Sequence, residues 1–321
     1  MLFMGDDPVK NGRMPSEASE VLASKPSLSG LPEPDALPPQ IPIAVRLTIY
    51  VVSLILSMFL LSGMPTEFSG ASLLGSRFPW LMLLGEALLF AGAYLPACLL
   101  ALLEHRPAAL YGLPWRAFLG ARFWQGCLLG LAEVSLLIFS IATFGGYRFG
   151  TLALPDASLI VKWLLFWLLF FVVVGLSEEF MFRGYLQFTL AGVIGYWPSA
   201  CLLSLGFGAI HLLNRGENWV GAADVVVVGL LFAFALERTG NLWLVVGWHA
   251  AFDFGETFLF SVPNSGALFS GHLSNATLQG PVWLTGGTVG PEGSVFSFLI
   301  MGLMAMLVNF LFPQREYPQT A

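Results

Sequence analysis

Apolar runs close to the length of a membrane span dominate this chain and leave it few ways to fold. A helical span takes about 20 residues. Eight candidate segments follow one another, at about 41–61, 79–103, 123–144, 159–178, 199–213, 220–236, 242–260 and 295–312. In hydrocarbon every backbone N–H and C=O must be satisfied within the protein, which leaves helices as the way to use such runs. Charged residues make up 11% of the sequence and hydrophobic ones 56%, against about 25% charged in soluble domains. The mean hydropathy of +0.77 agrees. The predicted fold is an all-α, polytopic transmembrane bundle of about eight spans.

The order of segments suggests a division of the chain. Residues 1–40 carry seven prolines and little apolar surface, which predicts a disordered tail. Residues 41–155 hold the first transmembrane helices, 156–260 a core containing the charged motifs described below, 261–294 a polar loop, and 295–321 a last helix with a short tail. Lys and Arg favour cytoplasmic loops. Arg106, Arg116 and Arg122 follow the second span, whereas 261–294 contains neither Lys nor Arg. Both termini are therefore expected in the cytoplasm and 261–294 outside, in the plasma membrane. Arg238 and Arg315 then fall inside, while Arg77 and Arg215 fall outside, against the rule. No basic patch suits nucleic acid. Cys98, Cys127 and Cys201 lie in apolar runs and read as small packing residues.

Glu178, Glu179 and Arg183 close the fourth apolar run. Ionised groups are costly there. Residues four apart share a helix face, so Glu179 and Arg183 can pair. Glu178 is turned about 100° away and is left free for other work. A carboxylate of that kind can act as a general base, or the trio can simply end a helix at the interface. Of four histidines, His105 and His272 sit in polar loops, whereas His211 and His249 sit inside apolar runs. Asp253 shares a face with His249, and Phe207 with His211. Gly126 and Gly130 form a small-xxx-small pair suited to close helix approach. Glu86, Glu133, Asp224 and Glu256 are expected to face the bundle interior or a helix end, and Asn214 either serves the site or caps a helix.

The order Glu-Glu-x-x-x-Arg, Phe-x-x-x-His and His-x-x-x-Asp, carried by Glu178, Glu179, Arg183, Phe207, His211, His249 and Asp253, resembles the CPBP family of intramembrane proteases. That family includes the type II CAAX prenyl endopeptidases and bacterial relatives linked to bacteriocin processing and self-immunity. Flanking residues also fit, with Phe182-Arg183-Gly184-Tyr185 after the first motif and Gly240-Asn241-Leu242-Trp243 before the third. The resemblance covers about residues 160–255. It implies a CAAX-protease-like core that hydrolyses a peptide bond of a membrane-embedded or lipid-anchored substrate. Glu178 and His211 would activate water, His249 and residue 253 would face the oxyanion, and Glu179, Arg183 and Phe207 would support them. The prenyl endopeptidases are expected to carry Asn where this chain has Asp253. An ionised Asp cannot donate to an oxyanion; Asp253 could stay protonated in an apolar site or orient His249 through its far ring nitrogen, the second being favoured, and bacterial relatives are expected to allow either residue.

Two other readings stay open. Glu178, His211, His249 and Asp253 have the chemistry of zinc ligands, although the compact H-E-x-x-H arrangement is absent and no cofactor is favoured. A transporter or scaffold could also use buried charges, although no internal repeat is visible. The linear order poses one geometric demand. Glu178 ends its run near one side, whereas His211 lies roughly 20 Å along the next helix from Pro198. The two are expected to meet through the path of residues 184–197.

Overall fold

The computed structural model describes residues 41–62 and 79–317; the tail expected to be disordered, residues 1–40, lies outside them. All eight apolar runs are helical. The helices are α1 (Ile43–Ser62), α2 (Pro79–Leu103), α3 (Ala121–Thr143), α4 (Ala157–Arg183), α5 (Tyr185–Ile194), α6 (Tyr196–His211), α7 (Trp219–Thr239), α8 (Leu242–Phe254), the single turn α9 (Val282–Thr285) and α10 (Val295–Leu311). Among the described residues, five helical stretches are long and apolar enough to cross a membrane: α1, α2, α3, α4 continued into α5, and α7. The chain is an integral membrane helical bundle.

The other three runs are shorter than spans. Helices α6, α8 and α10 have 16, 13 and 17 residues. For α8 this follows from its position. It is packed between α3 and α4 with α7 alongside, and Leu242 through Val246, together with Trp248, are fully buried. At 1.5 Å per residue it is about 20 Å long, less than the hydrocarbon thickness. Its ends lie within protein, where irregular backbone is tolerated at membrane depth. Periphery and interior differ clearly: 17% of the α1 window and 22% of α2 are buried, against 56% of α7.

Local chemistry sets the ends of α8. Gly240 adopts a left-handed φ of 57° and closes α7. The Asn241 side chain then accepts from the Trp243 N–H and caps α8, a standard use of Asn. Beyond Phe254 the helix widens into a π-turn over Gly255–Leu259, a feature often found beside functional sites.

Glycines let the helices touch. A Cβ at Gly126 would collide with the Leu244 carbonyl oxygen, one at Gly130 with that of Trp248, and one at Gly247 with that of Phe123. On the opposite flank a Cβ at Gly175 would lie 3.0 Å from the Val246 oxygen. Since the obstruction is backbone, no rotamer change relieves it. Gly130→Val is expected to cost about 3 kcal/mol, the upper end of ordinary overpacking. Thermal unfolding in detergent checks this; a midpoint equal to wild type would mean α3 and α8 are not in backbone contact.

Loop 261–294 is more than a connection. An antiparallel ladder pairs Tyr147 with Leu278 and Arg148 with Thr277, joining the loop to the α3–α4 linker. Its Asn264–Ala267 turn is held by reciprocal backbone hydrogen bonds of 2.9 Å. Asn214, just past α6, donates from Nδ2 to the Ser265 carbonyl at 3.2 Å. The loop thus folds back against the end of α6.

Candidate active site

The last turns of α4 present two glutamates to different surroundings. Glu179 is fully buried, and Arg183 nearly so. The Arg183 Nη1 donates to Glu179 Oε1 at 3.2 Å. The guanidinium also lies 4.4 Å from the Phe207 ring centroid and 5.9 Å from those of Phe182 and Phe232, where ring faces attract a cation. Glu178, one residue earlier, keeps a quarter of its side chain exposed and lines a cavity of about 680 Å³.

From α8, His249 reaches across to α4. Its Nδ1 lies 2.8 Å from Glu179 Oε1. Its Nε2 lies 3.3 Å from Asp253 Oδ2 and 3.7 Å from Glu178 Oε2. An N–H at either ring position therefore has a carboxylate acceptor. This arrangement corrects the role expected of Asp253. The far nitrogen is taken by Glu179, and Asp253 meets the nitrogen that faces Glu178. The i, i+4 spacing allowed contact between residues 249 and 253 but left the choice of nitrogen open; the ring orientation is set by Glu179 from α4. Glu179 is accordingly more than the partner of Arg183. One of its oxygens holds both the guanidinium and the imidazole.

His211 ends α6. Its Nδ1 lies 2.9 Å from the Phe207 carbonyl oxygen. A carbonyl only accepts, so Nδ1 carries the proton and, in the neutral ring, Nε2 keeps the lone pair. The Phe207 ring meets the imidazole edge-on, with centroids 4.6 Å apart at 79°. The path between the two motifs is now visible. Helix α4 breaks at Gly184, α5 runs to Ile194, and Gly195, with φ 87°, turns the chain into α6. Through this hairpin Glu178 and His211 come to line the same cavity, together with Phe207, His249 and Asp253. Glu179 and Arg183 stand behind the wall.

Several lining residues had no motif to mark them. Glu86 from α2, Glu133 from α3 and Asp224 from α7 all face the cavity. The Trp248 Nε1 donates to Glu133 at 2.5 Å. Glu256, in contrast, is fully buried outside the lining. Asn214 and the Asn264–Ala267 turn line the cavity from the loop side, with Glu292 from the segment before α10. The Glu292 carboxylate accepts from the Ser265 N–H at 2.6 Å. Burial, and then Asp224 and Asp253 facing it, push the Glu292 carboxyl well above the usual range, against the opposing pull of that N–H.

The zinc alternative meets a geometric obstacle. Among the described residues no three His, Cys, Asp or Glu side chains are gathered so as to hold a metal ion. His249 already faces carboxylates at both nitrogens, and His211 uses Nδ1 on its own helix.

Residues 160–255 match the family described as Type II CAAX prenyl endopeptidase Rce1-like. The match spans α4 through α8 and leaves the helices on either side outside it. Among curated proteins none matches the chain.

Proposed function

With an Rce1-like core over residues 160–255 as the premise, we propose that this integral membrane protein is an endopeptidase whose water is activated by Glu178 and His211. The observation that carries the reading is the single cavity shared by Glu178, His211 and His249, with the His211 Nε2 left free by the Nδ1 contact to Phe207. A water held between that lone pair and the Glu178 carboxylate loses its proton more easily as it attacks the peptide carbonyl. Glu178 takes the proton and later delivers it to the leaving amine. His249, donating from Nδ1 to Glu179 and protonated at both nitrogens, offers its Nε2–H to the developing oxyanion. The substrate is a membrane-embedded or lipid-anchored peptide. The distribution of Lys and Arg supports cytoplasmic termini, and the plasma membrane is the proposed location.

Asp253 competes with the oxyanion for the His249 Nε2–H. Asn at this position would keep an acceptor for the ring while removing a negative charge from the place where charge develops. Asp253→Asn is therefore expected to hold kcat within about threefold of wild type or raise it, whereas Asp253→Ala falls about 10–100-fold, the usual loss when a positioning partner goes. Paired kcat measurements on one substrate check this. An Asn variant as inactive as the Ala variant would give the carboxylate itself a chemical role.

The reading as a whole is tested by incubating wild type and Glu178→Gln with a solubilised membrane proteome and sequencing new termini by mass spectrometry. Termini produced by wild type and missing with the variant are expected. Identical termini in both samples would end the peptidase reading and favour a transporter or scaffold.

A further inference from the structure

The cavity holds more acid than hydrolysis needs. Among the described residues six acids line it, Glu86, Glu133, Glu178, Asp224, Asp253 and Glu292, with one Arg and no Lys; the Arg, Arg215, is exposed on the loop after α6, and the His249 imidazole is already held between Glu179 and Asp253. Glu133, Asp224 and Glu292 belong to α3, α7 and the segment before α10, and none is in the proposed catalytic set. They are 3%, 4% and 8% exposed. Buried acids are ordinarily paired with a cation or kept neutral, and among the described residues no cation pairs with these three.

Of three orphaned polar atoms among the described lining residues, Glu86 Oε2 lies on α2 and the other two belong here. Asp224 Oδ1 is buried with no hydrogen-bond partner among the described residues. So is Nδ2 of Asn264, which is itself 8% exposed. One is an acceptor and the other a donor, so the wall has unfilled positions for a cation and for a neighbouring carbonyl. The acids are fixed in place: Glu133 by the Trp248 indole and Glu292 by the Ser265 N–H. The adjoining wall is apolar. Val228 lies one helical turn from Asp224 on α7, and Met301 one turn from Ser297 on α10, and all four line the cavity.

We propose that Glu133, Asp224 and Glu292, with Asn264, form a specificity subsite for the Lys or Arg side chain of a peptide substrate. This rests on the peptidase reading above and names its substrate class. A Lys or Arg side chain has the matching composition, an apolar stem with a cationic tip. The Val228 and Met301 wall takes the stem, the carboxylates take the tip, and the Asn264 amide takes a backbone carbonyl. Asp253 connects the subsite to the reacting centre, since it touches His249 and lines the same cavity as the three acids. A bare metal ion needs ligands gathered around one point, and among the described residues no three His, Cys, Asp or Glu are so gathered; a Lys or Arg tip is met by one or two of these acids.

The test uses the full-length protein in phospholipid nanodiscs. Wild type, Glu178→Gln, Asp224→Asn and Glu292→Gln are incubated with one membrane proteome, and new termini are read by mass spectrometry. Glu178-dependent cuts are expected to carry Lys or Arg at one fixed position. The ratio of basic to neutral residues there is expected to fall about thirtyfold in Asp224→Asn and to move the same way in Glu292→Gln. Glu178-dependent cleavage without a basic preference, or with one that neither variant changes, overturns the subsite and leaves the peptidase reading standing. A binding measurement reports on the subsite without turnover. The Lys side-chain mimic n-butylammonium is expected to raise the unfolding midpoint of Glu178→Gln but not of Glu178→Gln/Asp224→Asn. An Asp224-dependent shift with Na⁺ or Mg²⁺ and none with the amine would make the occupant an inorganic ion and overturn the proposal.

Discussion

Replacing Glu178 by Gln is expected to lower kcat about 10³-fold while leaving the fold intact. The magnitude is that of a positioned general base: the amide keeps the shape of the carboxylate but cannot take a proton from water. The fold is spared because Glu178 is not the structural partner of Arg183; that task belongs to Glu179. The unfolding midpoint should therefore stay within a few degrees of wild type. His211→Ala should lose activity to a similar degree, because in the proposed mechanism it removes the other side of the same water. Residues that act on one step are not additive, so the double variant should be little worse than the worse single one. Losses that multiply in the double variant would mean that the two side chains do not share a water.

Arg183→Ala is expected to have the largest effect on stability, about 3–5 kcal/mol, the usual result of removing one partner of a buried pair. It would leave the fully buried Glu179 carboxylate without its cation and take the guanidinium from among three phenyl rings. Arg183→Lys should recover only part of this, since a compact ammonium neither forks nor stacks as a guanidinium does. The informative comparison is Glu179→Gln/Arg183→Ala. With both charges gone it should melt above Arg183→Ala alone. If instead it melts at the same temperature, packing against Phe207 and its neighbours, rather than an orphaned charge, is what Arg183 supplies. Fluorescence-detected size exclusion after a temperature series measures all four proteins.

Much of this arrangement was legible in the chain because it depends on local spacing. The 179–183 pair, the contact of residue 249 with 253 and the approach at Gly126 and Gly130 follow from helical periodicity, and the helices themselves from hydropathy. What was not legible depends on which surfaces meet. Hydropathy cannot tell a helix wrapped in protein from one wrapped in lipid, so α8 read as an ordinary span although it lies inside the bundle. The choice of nitrogen at His249 is made by a residue on another helix. The cavity-facing positions of Glu133 and Asp224, and the return of loop 261–294 over the α6 end, arise from packing between segments far apart in sequence. A lone acid in an apolar run carries no mark of which cavity it will line.

The enclosure of α8 has a consequence for how the protein behaves in different membranes. A bilayer that thins or thickens acts on the helices whose sides meet acyl chains, and the most exposed of these are α1 and α2. They can tilt to absorb the mismatch. Helix α8 has no such contact along its buried length and is locked to α3 by backbone-to-backbone contact at Gly126, Gly130 and Gly247. The seating of α8, and of His249 on it, against α3 is thus shielded from acyl-chain length while the outer helices follow the lipid.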